Sequence, residues 1–218
     1  MSDKRSPLAD IIGLMRIEDP GREELTARCV ELTHAVYPHH QVHGQYCTIH
    51  EYVECPPELT YDYLRQGHHL EEWTCSLRDF APTGIPGLWV GRDRIEEDTR
   101  IYCRVVANPE AMTVDYHCSW DQGEKLWMIY LMRVLPALDV LGRPGSVIVW
   151  TNCRHPYYDV NPHPELAPRP DRPWVGDYWD LFYAGHTLEM NNLKAILEHR
   201  HRNGLPIGIP APGTGRTP

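Results

Sequence analysis

The sequence predicts an α+β domain in which a curved, seven-stranded antiparallel sheet grips a long C-terminal helix and leaves a cavity between them. Three observations predict it. Seven segments read as strands, and the last six are joined by short turn signals, as antiparallel neighbours are. One long stretch near the end, residues 174–202, carries an apolar stripe at helical spacing. The aromatic residues are 12 Tyr and 7 Trp against 2 Phe. Buried Tyr and Trp want a polar partner, so this bias suits an interior wall that is apolar but partly wet.

The elements follow in order. Residues 7–16 and 21–36 read as two short helices. In the second, Leu25, Cys29, Leu32 and Val36 recur near helical spacing, Asp19 and Pro20 precede it, and Pro38 ends it. Strands are expected at 46–55, 74–80, 88–95, 99–107, 111–120, 125–135 and 145–154. Between the first two, Pro56-Pro57 stops the strand and starts a helix at 58–65, with another at 69–73. The later turns carry residues that tight turns need, such as Asn108-Pro109 and Asp121-Gln122-Gly123. A proline-rich stretch, 155–173, is too long for a simple connection and reads as a lid, a binding loop or a disordered segment. The final helix stops at Gly204, a good C′ residue. The expected organisation is an N-terminal helical extension at 1–45, the main domain at 46–204, and a disordered Gly/Pro-rich tail at 205–218.

A strongly twisted sheet of seven strands curls. A helix lying in its concavity seldom fills the space, and a hole remains.

Composition removes several function classes. The net charge of −9 argues against a nucleic-acid surface, which needs clustered Lys and Arg. No apolar run approaches 18 residues, so no membrane span is expected. The N-terminus lacks the apolar core of a secretory signal, and the seven cysteines are scattered without a CxxC pair, which predicts a cytoplasmic protein with reduced thiols. There is no P-loop, no GxGxxG after a strand, no GxSxG and no HExxH. No cofactor is expected, and a homodimer is compatible with the sequence.

Candidate site residues come from register. In strand 46–55, Glu51 shares the face of Cys47, Ile49, Val53 and Cys55, so it should point inward as a carboxylate with a raised pKa. The inner stripe of the long helix contains Trp179, Phe182, His186 and Met190. His186 is the imidazole that could exchange protons near neutral pH, and Glu189, one turn on, either orients it or lies on the solvated edge. In strand 111–120, Tyr116 falls on the apolar face and His117 on the polar one. Glu51, His186 and Tyr116 are therefore the expected catalytic groups. Trp73, Tyr130, Arg133, Trp150, Trp179, Phe182 and Tyr183 are the expected ligand wall, an inward Arg133 needing a carboxylate from the ligand or from Glu51. His39, His40 and His43 in one loop and His155 and His163 in another leave a metal site as a rival reading, without fixed ligand spacing.

The segment VECPPELTYDYLRQGHHLEEW, closing on Trp73, resembles the opening of the helix-grip or START-like superfamily, which includes the birch-pollen-allergen fold and polyketide cyclase/dehydratase families. The segment HTLEMNNLKAILEHR resembles its C-terminal helix, and the two together span residues 46–202. The resemblance implies the helix-grip fold and a hydrophobic small-molecule partner. The expected function is an enzyme of secondary metabolism, carrying out cyclase/dehydratase-like acid–base chemistry on a hydrophobic substrate. The alternatives are a non-catalytic carrier of such a ligand and a metal-dependent enzyme using the histidine-rich loops.

Overall fold

A computed structural model describes residues 8, 11–18, 20–35, 45–95 and 99–210. Helix α1 covers Gly21–Ala35, followed by β1 (Tyr46–Val53), α2 (Pro57–Leu64), a 3₁₀ turn (Gly67–His69) and α3 (Leu70–Trp73). A meander then runs through β2 (Leu77–Pro82), β3 (Leu88–Asp93), β4 (Thr99–Asn108), β5 (Thr113–Trp120) and β6 (Met128–Pro136). Helix α4 (Ala137–Leu141) leads into β7 (Ser146–Cys153), and α5 (Trp179–Arg202) completes the fold.

All seven strands form one antiparallel sheet in the order β1-β7-β6-β5-β4-β3-β2. The first two strands in sequence are thus the two edges, and α2 with α3 carries the chain from one to the other across the concave face. Alternation decides which side chains face in. On β5 the inward set is Val114, Tyr116, Cys118 and Trp120, and on β7 it is Ile148, Trp150 and Asn152. Register places Ile49, Trp150, Met132 and Val114 in a row across four strands. The C-terminal half of α5 closes this core with Leu193, Ile196 and Leu197, each with no exposed surface.

Two elements differ from expectation. Residues 11–16 are turn and irregular chain where a helix was expected. Their backbone is paired elsewhere: Met15 N–H donates to Asn192 Oδ1 and Asn192 Nδ2 donates to Met15 O, while Ile17 N–H reaches Cys75 O. Gly13, at φ +87°, turns the chain out of any helix. Helix α4 was unforeseen because Leu138, Val140 and Leu141 are all exposed, so it has no apolar face to reveal it. The 155–173 stretch is packed through short 3₁₀ turns, with Tyr158 fully buried, and a Cβ on Gly176 would lie 1.6 Å from Tyr158 O.

Of the expected tail, residues 205–210 fold back onto the domain. Arg200 donates to Ile207 O at 2.7 Å, His68 to Ile209 O at 2.9 Å, and Ile209 N–H donates to His69 Nε2 at 3.1 Å. His69 Nδ1 therefore carries the proton that reaches Tyr63 O at 2.7 Å.

A buried ion pair ties three helices together. Arg200 of α5 meets both oxygens of Glu72 of α3, at 2.9 and 2.6 Å, and Tyr63 of α2 donates to Glu72 at 2.8 Å. Arg200→Ala strands the Glu72 charge, and urea unfolding should show a loss of about 3–5 kcal/mol. The paired replacement Arg200→Met with Glu72→Leu should recover most of that loss; equal losses in both variants would contradict this account.

Candidate ligand cavity

Between the concave sheet and the N-terminal half of α5 lies a cavity of about 300 Å³. Small-molecule pockets run from about 300 to 1,000 Å³, so it suits a compact ligand. Its floor is the sheet, through Cys103, Tyr116, Cys118, Tyr130 and Trp150; α3 adds Leu70 and Trp73. Its roof is α5, through Leu181, Phe182, Gly185, His186 and Glu189, and the exposed Arg22 and Thr26 of α1 form a rim.

Aromatic rings dominate the wall. The His186 ring lies 4.3 Å from Trp150, 5.2 Å from Phe182 and 5.6 Å from Tyr130, centroid to centroid. Trp73 stands edge-on to Trp150 at 5.6 Å and lies 6.3 Å from Tyr116.

The structure thus brings six of the expected residues to one cavity: Trp73, Tyr116, Tyr130, Trp150, Phe182 and His186. Four lie elsewhere. Glu51 has the inward register, but it sits at the far end of β1, where its Oε1 accepts from Lys194 Nζ at 2.6 Å and about a third of its side chain is exposed. Arg133 is exposed because its strand neighbours Met132 and Val134 take the inner face. Trp179 is buried against Tyr158 and Phe182, behind the wall. Tyr183 stands to one side of the lining face. The cavity-lining stripe of α5 is Phe182, Gly185, His186 and Glu189, rotated from the stripe that begins at Trp179.

Tyrosine hydroxyls in the wall are engaged by the protein. Tyr116 donates to Leu64 O at 2.6 Å, and burial pushes its pKa well above the usual phenol value. Tyr130 is raised likewise by burial and is hydrogen-bonded to Tyr158, which meets Asn152. Nor are the thiols primed to react. Burial raises Cys29 to about 11, and Cys118, opposite Cys103 in the sheet, is held up by a hydrogen bond to that partner and by burial.

Glu189 is the exception, and sequence reasoning gave it only a supporting part. Its signal was available: it lies three residues after His186 and seven after Phe182, on one helical face. Oε1 accepts from Cys75 N–H at 3.0 Å; among the described residues Oε2 receives no hydrogen bond. The carboxyl belongs to the cavity wall, whose other lining side chains are mainly apolar. That burial, with the Asp93 carboxylate adding to it, raises its pKa to about 8 against the opposing pull of Cys75 N–H and Arg78. It is a carboxylic acid that is mostly protonated at neutral pH.

Among the described residues, no three His, Cys, Asp or Glu side chains converge as a metal site. His155 Nδ1 accepts from Tyr157 N–H, and His163 lies 3.4 Å from Glu165; His39, His40 and His43 are outside the described residues. No helix among the described residues is long and apolar enough to cross a membrane.

No protein-family model matches the chain, and no curated protein matches it in sequence. Solved structures do match. The Zhui aromatase/cyclase from Streptomyces sp. R1128 superposes with a TM-score of 0.50 at 13% identity, covering 75% of this chain and 98% of that one. A START superfamily protein from Mycobacterium smegmatis gives 0.46 at 13% identity, covering 71% and 97%. The Aha1 dimer from Colwellia psychrerythraea gives 0.47 at 13% identity, covering 70% and 96%. At these identities the likeness concerns fold alone.

Between about pH 4.5 and 8 the folded protein holds a Glu189 proton that the unfolded chain has shed. Stability should therefore fall as pH rises across that window, by up to about 1.4 kcal/mol per unit. Glu189→Gln keeps an acceptor for Cys75 N–H and removes the slope. Urea midpoints measured from pH 5 to 9 should diverge between the two proteins, with the variant ahead at pH 8; parallel curves would contradict the assignment.

Proposed function

The chain has the helix-grip fold of START-like proteins, and from that premise we propose that its cavity binds a small, largely apolar molecule and moves a proton on it. The reaction class is cyclisation or dehydration, with Glu189 as the principal proton-handling group and His186 beside it. One observation carries this reading: a carboxyl group with a pKa of about 8 forms part of an aromatic cavity wall. A group that titrates near working pH can both give and take a proton, which is what acid–base catalysis requires. Enclosure adds to this, because a ligand held in a reactive pose loses little entropy at the barrier. The aromatase/cyclase activity of the Streptomyces neighbour is of the same class, on the same fold.

Glu51, held by Lys194, has no part in this scheme. Tyr116 contributes its ring and not its proton, since its hydroxyl already donates to Leu64 O. A carrier that binds the same kind of molecule without changing it is the second reading, favoured by how many wall hydroxyls the protein itself engages.

The test is a neutral, flat probe whose only demand is proton removal, 5-nitrobenzisoxazole. The wild-type protein should open its ring at a rate that rises with pH through about 8. Glu189→Gln should lower that rate at least about tenfold. Equal rates in the two proteins would contradict the role of Glu189; a probe that binds to both and is turned over by neither would favour the carrier.

A further inference from the structure

Among the described residues Glu189 makes no ion pair, and the reasons are local. The nearest guanidinium, Arg78, is held by both carboxylate oxygens of Glu18 and by the carbonyls of Thr74, Cys75 and Leu77. Arg200 and Lys194, further along the same helix, pair with Glu72 and Glu51. Arg22 stands at the rim with an exposed side chain. Asp93 belongs to the same wall as Glu189, and its Oδ1 accepts from Ile95 N–H at 3.0 Å. Trp, Tyr and Phe side chains also line the cavity, and the negative face of such a ring attracts a cation.

Resting on the reading of this cavity as a ligand site, the geometry points to a ligand class: a primary amine on a flat apolar body. Its ammonium group sits against Glu189, and its body lies among Phe182, Trp150 and Tyr130. A buried carboxylate is stabilised by a paired cation and strongly disfavoured without one. An incoming ammonium therefore draws Glu189 into its ionised form: the carboxyl O–H bond breaks, its proton leaves to solvent, and the ammonium keeps all of its own. Helix rise sets the spacing, since Glu189 is about 4.5 Å along the axis from His186 and about 10 Å from Phe182. An amine two carbons from a bicyclic aromatic ring spans that interval. The chain's net charge of −9 adds a general attraction for cations at the mouth.

Calorimetry at pH 7 with three probes of one shape tests this: 2-(naphthalen-2-yl)ethylamine, 2-(naphthalen-2-yl)ethanol and naphthalen-2-ylacetate. The amine should bind at least about tenfold more tightly than the alcohol, with the carboxylate weakest. Titrations in buffers of different ionisation enthalpy should show close to one proton released per amine bound and none per alcohol. Glu189→Gln should reduce the amine to the affinity of the alcohol or below, while the alcohol still binds, which shows that the cavity is intact. An alcohol that matches the amine in the wild-type protein, or an amine preference that survives Glu189→Gln, would overturn the ligand class and leave the cavity reading standing. If none of the three binds, the cavity reading falls and the ligand class with it.

Discussion

A straight helix cannot follow a curved sheet along its whole length, and the rest of this molecule depends on how that mismatch is distributed. The C-terminal half of α5 fits: Leu193, Ile196 and Leu197 are fully enclosed, and the helix packs on β1 and α3. The N-terminal half does not, and the gap becomes the cavity. Gly185 sits over it in mid-helix, where a Cβ would meet nothing within 4 Å. Glycine there costs about 0.5–1 kcal/mol against alanine, and no close contact on the cavity side requires it. One helix therefore serves as plug at one end and as roof at the other.

The electrostatics follow from the same division. Where α5 is packed, its charged residues are matched: Arg200 with Glu72, Lys194 with Glu51. Where α5 roofs the cavity, Glu189 has a backbone N–H and, among the described residues, no ion pair. The difference is not one of exposure alone. Arg78 lies close enough to lower the Glu189 pKa, but its hydrogen-bonding capacity is filled by Glu18 and three carbonyls. The segment 11–18, which brings Glu18 to Arg78 and ties Met15 to Asn192, thus helps to keep the cavity acid unpaired. A part of the chain that looks like a simple extension bears directly on the site.

Much of this was legible in the sequence. Turn residues bounded the strands of the meander, and two-residue alternation marked 46–55 and 111–120, because each of those two has one buried face. The long helix was visible for the same reason. Helix α4 was not, since its apolar residues face outward, and residues 11–16 read as helical because their true partners, Asn192 and Cys75, are distant in sequence. For the site, strand register put Tyr116 on the apolar face and helix periodicity put Phe182 and His186 on one stripe, and all three line the cavity. Periodicity leaves the phase of a stripe uncertain by about one residue, which is enough to favour Trp179 over Glu189. Glu51 shows a different limit. Register gives the face of a sheet but not the position along it, and at that end of β1 Lys194 is waiting.

The central claim is that Glu189 stays a neutral acid at physiological pH because it stands in a mainly apolar cavity wall without a counter-ion among the described residues. Carbon-13 NMR of the side-chain carboxyl, assigned by comparison with Glu189→Gln and followed from pH 4 to 10, reads this directly. The account predicts a midpoint near 8. A midpoint between about 4 and 5, the range of an ordinary glutamate, would contradict it.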